Sequence, residues 1–595
     1  MRDETDMTDA AARAILQHMR TQSGTLFRAL DQDGDGILSA DEIAAAPEVL
    51  KGLVRDADGC LRERDLGGPT DIPGMLRRSG IVRLLDPDGD LVITPEDIVD
   101  ASARILRLDT DGDGCITAED DLPDLTKNAE NRMPMGTPKD RLAYQRKMFT
   151  RSAGITGPLP PGTDLRQQPG FLLIQEVSDR GDVQKSHKTI LLDDMGEVAH
   201  SWPTPQRLPE ATVTYLMANG NVARTTCEYD WLEMDGRFPI GTHGTVSIVA
   251  PDGAVLWKWS NIDSGGEALH HDIEVMPNGH ILAISWHILD TPTAQAVGWP
   301  QQGERDRILL DKIIELKPDL ETGETQIVWE WRMLDHLVQD RDPRAANFGD
   351  PAENIGKIDL NWPWLDTVQF NSGQIAHCNS VSYNAEEDVI LLSSAIFGEA
   401  WVIDHSTTTA EAKGSTGGRY GKGGDLLWRW GNPQTHGLGQ ATDQILFWQH
   451  DAHFLPANVP HSGEILIFNN GMRRTPQGSP DPKQKCMGLL DGAYSDVLEI
   501  TLPRDGAGLI EQGAPPQINW NFNDKAQHDI YSPFMSGAQR MPNGNTLMMQ
   551  ACDKRVVEVT ASGEIVLDFH VGGPGRMFRI YKFASDAPGI KALRL

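Results

Sequence analysis

Glu274-Val-Met-Pro-Asn-Gly-His-Ile-Leu282 returns further along the chain as Gln539-Arg-Met-Pro-Asn-Gly-Asn-Thr-Leu547. In both copies an apolar strand enters an Asn-Gly pair, which favours a tight turn with positive φ, and a second apolar strand leaves it. A second kind of hairpin alternates with this unit: an apolar strand, a polar-Gly turn and a strand often ending in Trp. Examples are Val246-Ser-Ile-Val-Ala-Pro-Asp-Gly-Ala-Val-Leu-Trp257 and Arg555-Val-Val-Glu-Val-Thr-Ala-Ser-Gly-Glu-Ile-Val-Leu567. Six such hairpins are expected, near 189–202, 245–259, 311–331, 400–430, 495–522 and 554–569. The Asn-Gly units and their relatives fall near 211–225, 270–286, 377–394, 450–469 and 537–550, and Arg576-Met-Phe-Arg-Ile-Tyr-Lys-Phe583 supplies a sixth. A period of roughly 65–80 residues in short strands predicts a mainly β fold, a six-bladed β-propeller; a two-sheet sandwich carries no such period. Phe171-Leu-Leu-Ile-Gln-Glu-Val177 has strand character outside that count. It is expected to complete the last blade and seal the ring, removing an exposed edge.

The 595 residues exceed what one hydrophobic core serves, so at least two domains are expected. Residues 1–130 read as an α-helical calcium-binding domain, 131–170 as a linker rich in Pro and Gly, and 171–595 as the propeller and catalytic domain. A formal charge of −32 argues against a nucleic-acid surface, which needs concentrated cationic charge. A small anionic or aromatic substrate in a local pocket remains compatible with it. No apolar run is long enough for a membrane span, and the polar start MRDETDMTDA has no secretory h-region. The expected compartment is therefore the cytoplasm, or the periplasm should the chain be a trimmed form. Six dispersed cysteines without a CxxC pair read as free thiols.

Residues 1–130 hold 29 Asp and Glu against 14 Lys and Arg, and their pattern explains the excess. Asp31-Gln-Asp-Gly-Asp-Gly-Ile-Leu-Ser-Ala-Asp-Glu42 satisfies the EF-hand loop. Asp31, Asp33, Asp35, the Ile37 carbonyl, Ser39 and bidentate Glu42 would surround calcium, with Gly36 making the turn. A second good loop offers Asp109, Asp111, Asp113, the Cys115 carbonyl, Thr117 and Asp120, whose last ligand is one methylene short. A third, with Asp86, Asp88, Asp90, the Val92 carbonyl and Asp97, has Leu91 where the turn wants glycine, so weaker binding is expected. A fourth, near Asp56-Ala-Asp58-Gly59, has Val54 at the first ligand position and is expected to bind nothing. A structural role for calcium, folding the helices on binding, is favoured over a sensor role.

Aligning the Asn-Gly units places His271, His377 and His450 at one repeat position in three successive blades. Equivalent positions near the start of inner strands converge on a propeller's axis. The next blade has Ser536 there, with His528 shortly before it. Such histidines have two chemical uses: nucleophile or base with neighbouring hydrogen-bond donors, or ligands to a transition metal with an open position. Separate framework histidines are the bland alternative. The tryptophans at hairpin ends read as packing between blades.

Four stretches resemble the arylsulfotransferase family, the PAPS-independent aryl-sulfate sulfotransferases. They are His270-His-Asp-Ile-Glu-Val-Met-Pro-Asn-Gly279, His377-Cys-Asn-Ser-Val-Ser-Tyr-Asn384, Gln449-His-Asp-Ala452 and Ser536-Gly-Ala-Gln-Arg-Met-Pro-Asn-Gly544. Asp335-His-Leu-Val-Gln-Asp340 and Ile403-Asp-His-Ser-Thr-Thr-Thr-Ala-Glu-Ala412 resemble one branch of that family, and the likeness covers roughly residues 165–590. The resemblance implies a six-bladed propeller that moves sulfate from a phenolic ester to a phenol through a histidine-bound intermediate. Carried over, His450 would accept the sulfuryl group while His271 and His377 bind its oxygens. His528 is a further catalytic candidate, and His270, Asn379, His405, Arg540 and Arg576 are candidate substrate contacts. The family's arginine after the Leu-Leu-Ser-Ser strand is replaced here by Ala395. A metal-dependent hydrolase or lyase, and a non-catalytic calcium-stabilised binding propeller, are the alternative functions.

Overall fold

The computed structural model describes residues 25–33, 37–54, 59–62, 80–85, 92–109, 114–117, 155–159, 162–176, 187–204, 213–226, 241–262, 266–299, 307–362, 373–472, 474, 494–523, 530–552, 554–571 and 577–595. The chain divides into two compact units: residues 1–141 with 180–183 and 231–237, and the remainder. Among the described residues no helix is long and apolar enough to cross a membrane.

In the first unit, short helices pack Leu26, Phe27, Leu30, Ile43, Leu50, Ile81, Leu85, Ile98 and Ile105 into one core. Two-residue strands join its loops: Ile37–Leu38 pairs antiparallel with Ile116–Thr117, and Leu61–Arg62 with Val92–Ile93. Helix Ala40–Leu53 starts on a capping box in which Ser39 and Glu42 satisfy each other's backbone N–H groups, and Thr94 with Asp97 does the same for Pro95–Val99.

The second unit is a mainly β, six-bladed propeller of antiparallel sheets. Blade 2 runs Thr214–Leu216, Val222–Thr226, Thr245–Val249, Val255–Ser260, and blade 3 runs Glu267–Val275, Ile281–Asp290, Arg307–Pro318, Thr325–Arg332. Blade 4 is Cys378–Asn384, Val389–Ser394, Glu399–Asp404, Trp428–Trp430, and blade 5 is His450–Phe454, Ile465–Asn469, Asp496–Thr501, Gln517–Phe522. Blade 6 is Gly537–Arg540, Thr546–Gln550, Arg555–Val559, Ile565–Val571. Each Asn-Gly unit thus supplies two inner strands, and the hairpin after it supplies two outer ones. The turn glycines Gly279 and Gly544 take φ of 83° and 88°, as the Asn-Gly reading requires.

Blade 1 is built from both ends of the unit. Tyr581–Phe583 is its innermost strand, followed by Phe171–Glu176, His187–Leu192 and Val198–Thr204, with Phe583 opposite Phe171. The sealing strand therefore lies second in the first blade instead of being added to the last. Blade 6 gains a fifth, outermost strand, Ile155–Leu159, from the stretch expected as linker.

Two repeated contacts bind neighbouring blades. Outer-strand indoles reach the next blade: Trp257 Nε1 donates to Thr325 Oγ1 at 2.9 Å, Trp329 to Thr407 Oγ1 at 3.2 Å, Trp428 to the Ala514 carbonyl at 3.0 Å and Trp520 to the Ala561 carbonyl at 3.1 Å. Each bond adds about 1 kcal/mol net to the burial of the ring. Third-strand glutamates do the same nearer the centre. Glu315 bonds His405, Glu499 bonds Arg540 and Glu558 bonds Lys582 of the following blade.

Candidate active site

A bulge opens three successive inner strands, shifting register between Leu269 and Ile273, Cys378 and Ser380, and His450 and His453. His271, His377 and Asp451 take positive φ there, 55°, 52° and 56°, and Ser536 follows at 79° in blade 6. Left-handed backbone at such residues costs roughly 1–3 kcal/mol each and is a common means of re-aiming a side chain. Gly241 makes the bend at His271 possible. Its carbonyl accepts the His271 N–H at 2.9 Å, and a Cβ on it would overlap the imidazole.

The repeat then stacks side chains in tiers. The first tier holds His271, His377, His450, Ser536 and, just before the strand that closes blade 1, Phe578. The His271 and His377 rings lie 4.4 Å apart, and Phe578 sits 6.2 Å from His271 and 6.0 Å from His450. Phe578 thus lies near histidines of blades 3 and 5, neither of which is next to blade 1 in the ring. One residue on, the second tier holds Asp272, Asp451 and Arg579. Arg579 is 2.8 Å from Asp272 and 3.2 Å from Asp451, and it also donates to the Asn379 carbonyl at 2.9 Å. A third tier brings together Tyr215, Glu274, His453 and Tyr581. Tyr215 donates to Asp272 at 2.7 Å, and loss of solvation with nearby Asp272 and Asp451 pushes the Glu274 carboxyl up to about 8.

Burial favours the neutral form of the three first-tier histidines. Burial lowers all three, and repulsion from neighbouring imidazoles lowers His271 and His377 further; His450 falls to about 4. Each also has its Nδ1 engaged. His450 Nδ1 lies 2.8 Å from Asn470 Oδ1, and Asn470 cannot turn over because its NH2 donates to the Ser532 and Met535 carbonyls. His450 therefore carries its proton on Nδ1 and a lone pair on Nε2, which accepts the Met535 N–H at 3.2 Å. His377 Nδ1 bonds Gln374 Oε1, and His271 Nδ1 lies 2.8 Å from His270 Nδ1. Among the described residues nothing bonds Nε2 of His271 or His377.

Other expected contacts are placed elsewhere. His270 is fully buried behind His271, stacked on Trp286 at 3.6 Å, and has no face toward a substrate. His405 has both nitrogens on carboxylates, Asp388 at 2.6 Å and Glu315 at 3.0 Å, and Arg540 is held by Glu499 at 2.6 Å and the Trp520 ring; both join blades. Asn379 is buried beside the second tier, its amide donating to the Gln449 carbonyl at 2.8 Å. Ala395, which stands in for the family's arginine, is buried with its N–H on the His377 carbonyl at 3.3 Å. His528 and Arg576 lie outside the described residues. Arg579 is the cation that the sequence reading passed over. Its signal was present, because extending the His-Asp alignment to the chain's last unit pairs Phe578-Arg579 with His271-Asp272 and His450-Asp451.

Among the described residues, one group gathers three ligand atoms of His, Cys, Asp or Glu within 4.8 Å, namely Asp31, Asp33 and Glu42, which could hold a metal ion. The histidine trio is not among such groups. Asp97 caps its helix and pairs with Arg104 at 2.9 Å, Asp109 Oδ2 accepts the Gly114 N–H at 2.9 Å, and Ile37 and Val92 lie in the short strands. Asp35, Asp86, Asp88, Asp90, Asp111, Asp113 and Asp120 fall outside the described residues.

The family model for arylsulfotransferase (ASST) matches residues 232–567. No curated protein compared with the chain matches it. Among solved structures, a protein of unknown function from Bacteroides caccae is 10% identical with a TM-score of 0.35, covering 70% of this chain and 99% of its own. A putative 6-phosphogluconolactonase from Bacteroides fragilis is 11% identical at 0.32, with 70% and 99% covered. Virginiamycin B lyase from Staphylococcus aureus is 8% identical at 0.29, with 70% and 87% covered. At these scores the likenesses carry no argument about function.

Proposed function

The chain belongs to the arylsulfotransferase family, and we propose that its propeller transfers a sulfuryl group between phenolic oxygens through His450. The observation that carries this reading is the state of the first tier: imidazoles whose Nδ1 atoms are tied by neighbours, with Nε2 of His271 and His377 unbonded among the described residues and Nε2 of His450 holding only the Met535 N–H. An imidazole held as the Nδ1–H tautomer is a competent nucleophile at Nε2. Attack there on the sulfur of a phenyl sulfate would release the phenolate and leave a sulfo-imidazole. The Met535 N–H that now rests on Nε2 would pass to a sulfuryl oxygen, a donor that needs no guanidinium at position 395. Phe578 and Trp448, whose ring lies 5.5 Å from that of His377, offer apolar walls for an aromatic ester. The test is turnover of nitrophenyl sulfate with added phenol, with the sulfo-histidine trapped and located by mass spectrometry. A label on any residue other than His450, or turnover that survives His450→Ala, would refute the assignment.

For the first unit the reading is calcium binding by EF-hand-type loops. Asp31, Asp33 and Glu42 form an oxygen-only set suited to a hard cation, and Ser39 Oγ donates to Glu42 at 2.8 Å. Bound calcium would neutralise the crowded carboxylates and fix the helices that carry them. Calorimetric titration of the full chain with calcium checks this, and Glu42→Gln is expected to weaken the tightest site at least tenfold. Unchanged binding would count against it.

A further inference from the structure

Behind His271 lies a row of buried groups that sulfuryl transfer as described does not use. His270 Nε2 lies 3.4 Å from Asp311 Oδ1, with both side chains fully buried, and His270 Nδ1 lies 2.8 Å from His271 Nδ1. Asp311 Oδ1 also accepts the Cys378 N–H at 2.9 Å, which ties the carboxylate to the strand that carries His377. Neither Asp311 Oδ2 nor His270 Nε2 has a hydrogen-bond partner among the described residues, so the 3.4 Å approach is an electrostatic contact that shortens into a bond only as charge develops on the imidazoles. Trp286 stacks on His270 at 3.6 Å and 8°, which holds the plane of the ring.

The order of these groups fixes where the protons sit. A lone pair on His270 Nε2 facing a buried carboxylate at 3.4 Å would be repelled, so that nitrogen carries the hydrogen. Nδ1 of the neutral His270 is then an acceptor. The 2.8 Å contact must therefore be donated by His271 Nδ1, which leaves His271 Nε2 with a lone pair. That Nε2 lies beside Gly241 and has no hydrogen-bond partner among the described residues, and in this state it cannot donate to a sulfuryl oxygen. It can receive a proton, and Asp311 can offset the resulting charge through His270.

We propose that Asp311 and His270 form a relay that makes His271 the proton-transferring group of the site, accepting the hydroxyl proton of the acceptor phenol. The inference rests on the sulfuryl-transfer reading. In the second half-reaction the phenol oxygen forms the new O–S bond as the S–N bond to His450 breaks, its electron pair returning to Nε2. The O–H proton moves to His271 Nε2, and the imidazolium so formed donates from Nδ1 to His270, whose Nε2–H faces Asp311. In the first half-reaction the donor leaves as the phenolate, and after the second half-reaction His271 releases the proton from Nε2 to solvent and returns to its Nδ1–H form. Asp311 and His270 touch no substrate and act by positioning.

Two measurements test it. In the full chain with histidine labelled by nitrogen-15, the His271 signals, identified by their loss in His271→Asn, should show a protonated Nδ1 and an unprotonated Nε2. A protonated Nε2 overturns the relay whatever the enzyme's reaction. In the second, Asp311→Asn keeps the acceptor for Cys378 but removes the charge. Transfer to a weakly acidic phenol should fall about 10²-fold, while transfer to a phenol already ionised at the assay pH falls far less. His270→Phe, which keeps the stack on Trp286, should give the same split. Equal losses across the phenol series overturn the proposal. Absence of transfer by the unaltered protein refutes the reading of the reaction instead, and the nitrogen signals then decide the relay alone.

Discussion

Replacing Arg579 with Met should destabilise the propeller severely, and more so at high pH than at low. Arg579 is almost fully buried and is the common partner of Asp272 at 2.8 Å and Asp451 at 3.2 Å, besides serving the Asn379 carbonyl. Removing one member of a buried ion pair costs about 3–5 kcal/mol, because the other charge stays desolvated and alone. Two carboxylates are abandoned here, so about 5 kcal/mol is expected at neutral pH, a large part of the stability of a typical domain. The pH dependence follows from where the protons go. Burial already holds the Asp272 carboxyl up despite its partner, whereas Arg579 and His453 hold Asp451 down against burial. Without the guanidinium both folded-state values rise above the unfolded carboxylate range. A group raised in the folded state favours folding below its unfolded value and loses that contribution as pH climbs through the folded one. The penalty should therefore be smallest near pH 4 and grow through neutrality. Denaturant unfolding followed by tryptophan fluorescence at several pH values measures it, and adding Asp272→Asn to the variant should recover part of the loss. A penalty under about 1 kcal/mol, or one that is flat with pH, would refute the idea that the cation acts as the common counter-ion of the axis.

Gly241→Ala should cut turnover more than tenfold, because the added carbon overlaps the His271 ring at φ 100°; crystallography of the variant should show that ring displaced. His450, lowered to about 4, stays an uncharged nucleophile until pH falls through that value. The acid limb of kcat/KM that it causes should lie near 4, and a limb near the ordinary histidine value of about 6.5 that disappears with His450 would contradict the burial argument. Arg540→Met should cost about 3–5 kcal/mol of stability by stranding Glu499, yet leave KM unchanged in the folded protein; a raised KM would restore Arg540 to the substrate site.

Repetition made the blades and the first tier readable in the sequence. His271, His377 and His450 each precede an Asn-Gly unit or its relative by the same spacing, and a propeller turns equal spacing into a common radius. Arg540 and His405 misled for a local reason. A lone cation or imidazole beside a motif looks available until its partner is known, and Glu499 and Glu315 come from strands of the preceding blade. Arg579 was missed because Phe578 breaks the histidine signature of its unit. The tautomers were out of reach altogether. They depend on Asn470 facing two carbonyls and on Asp311 standing behind His270, relations between residues many positions apart.

The strand that completes blade 1 also gives order to biosynthesis. Asp272 and Asp451 are made long before Arg579, and Phe171–Glu176 long before Tyr581–Phe583. Until the final strand leaves the ribosome, the nascent propeller has an open seam and two acidic groups at its centre without their counter-ion. An arrested or clipped chain would keep both faults together, an edge open to pairing and an uncompensated core. Closure of blade 1 is thus coupled to charge balance at the axis, because Arg579 comes just before the strand that closes it.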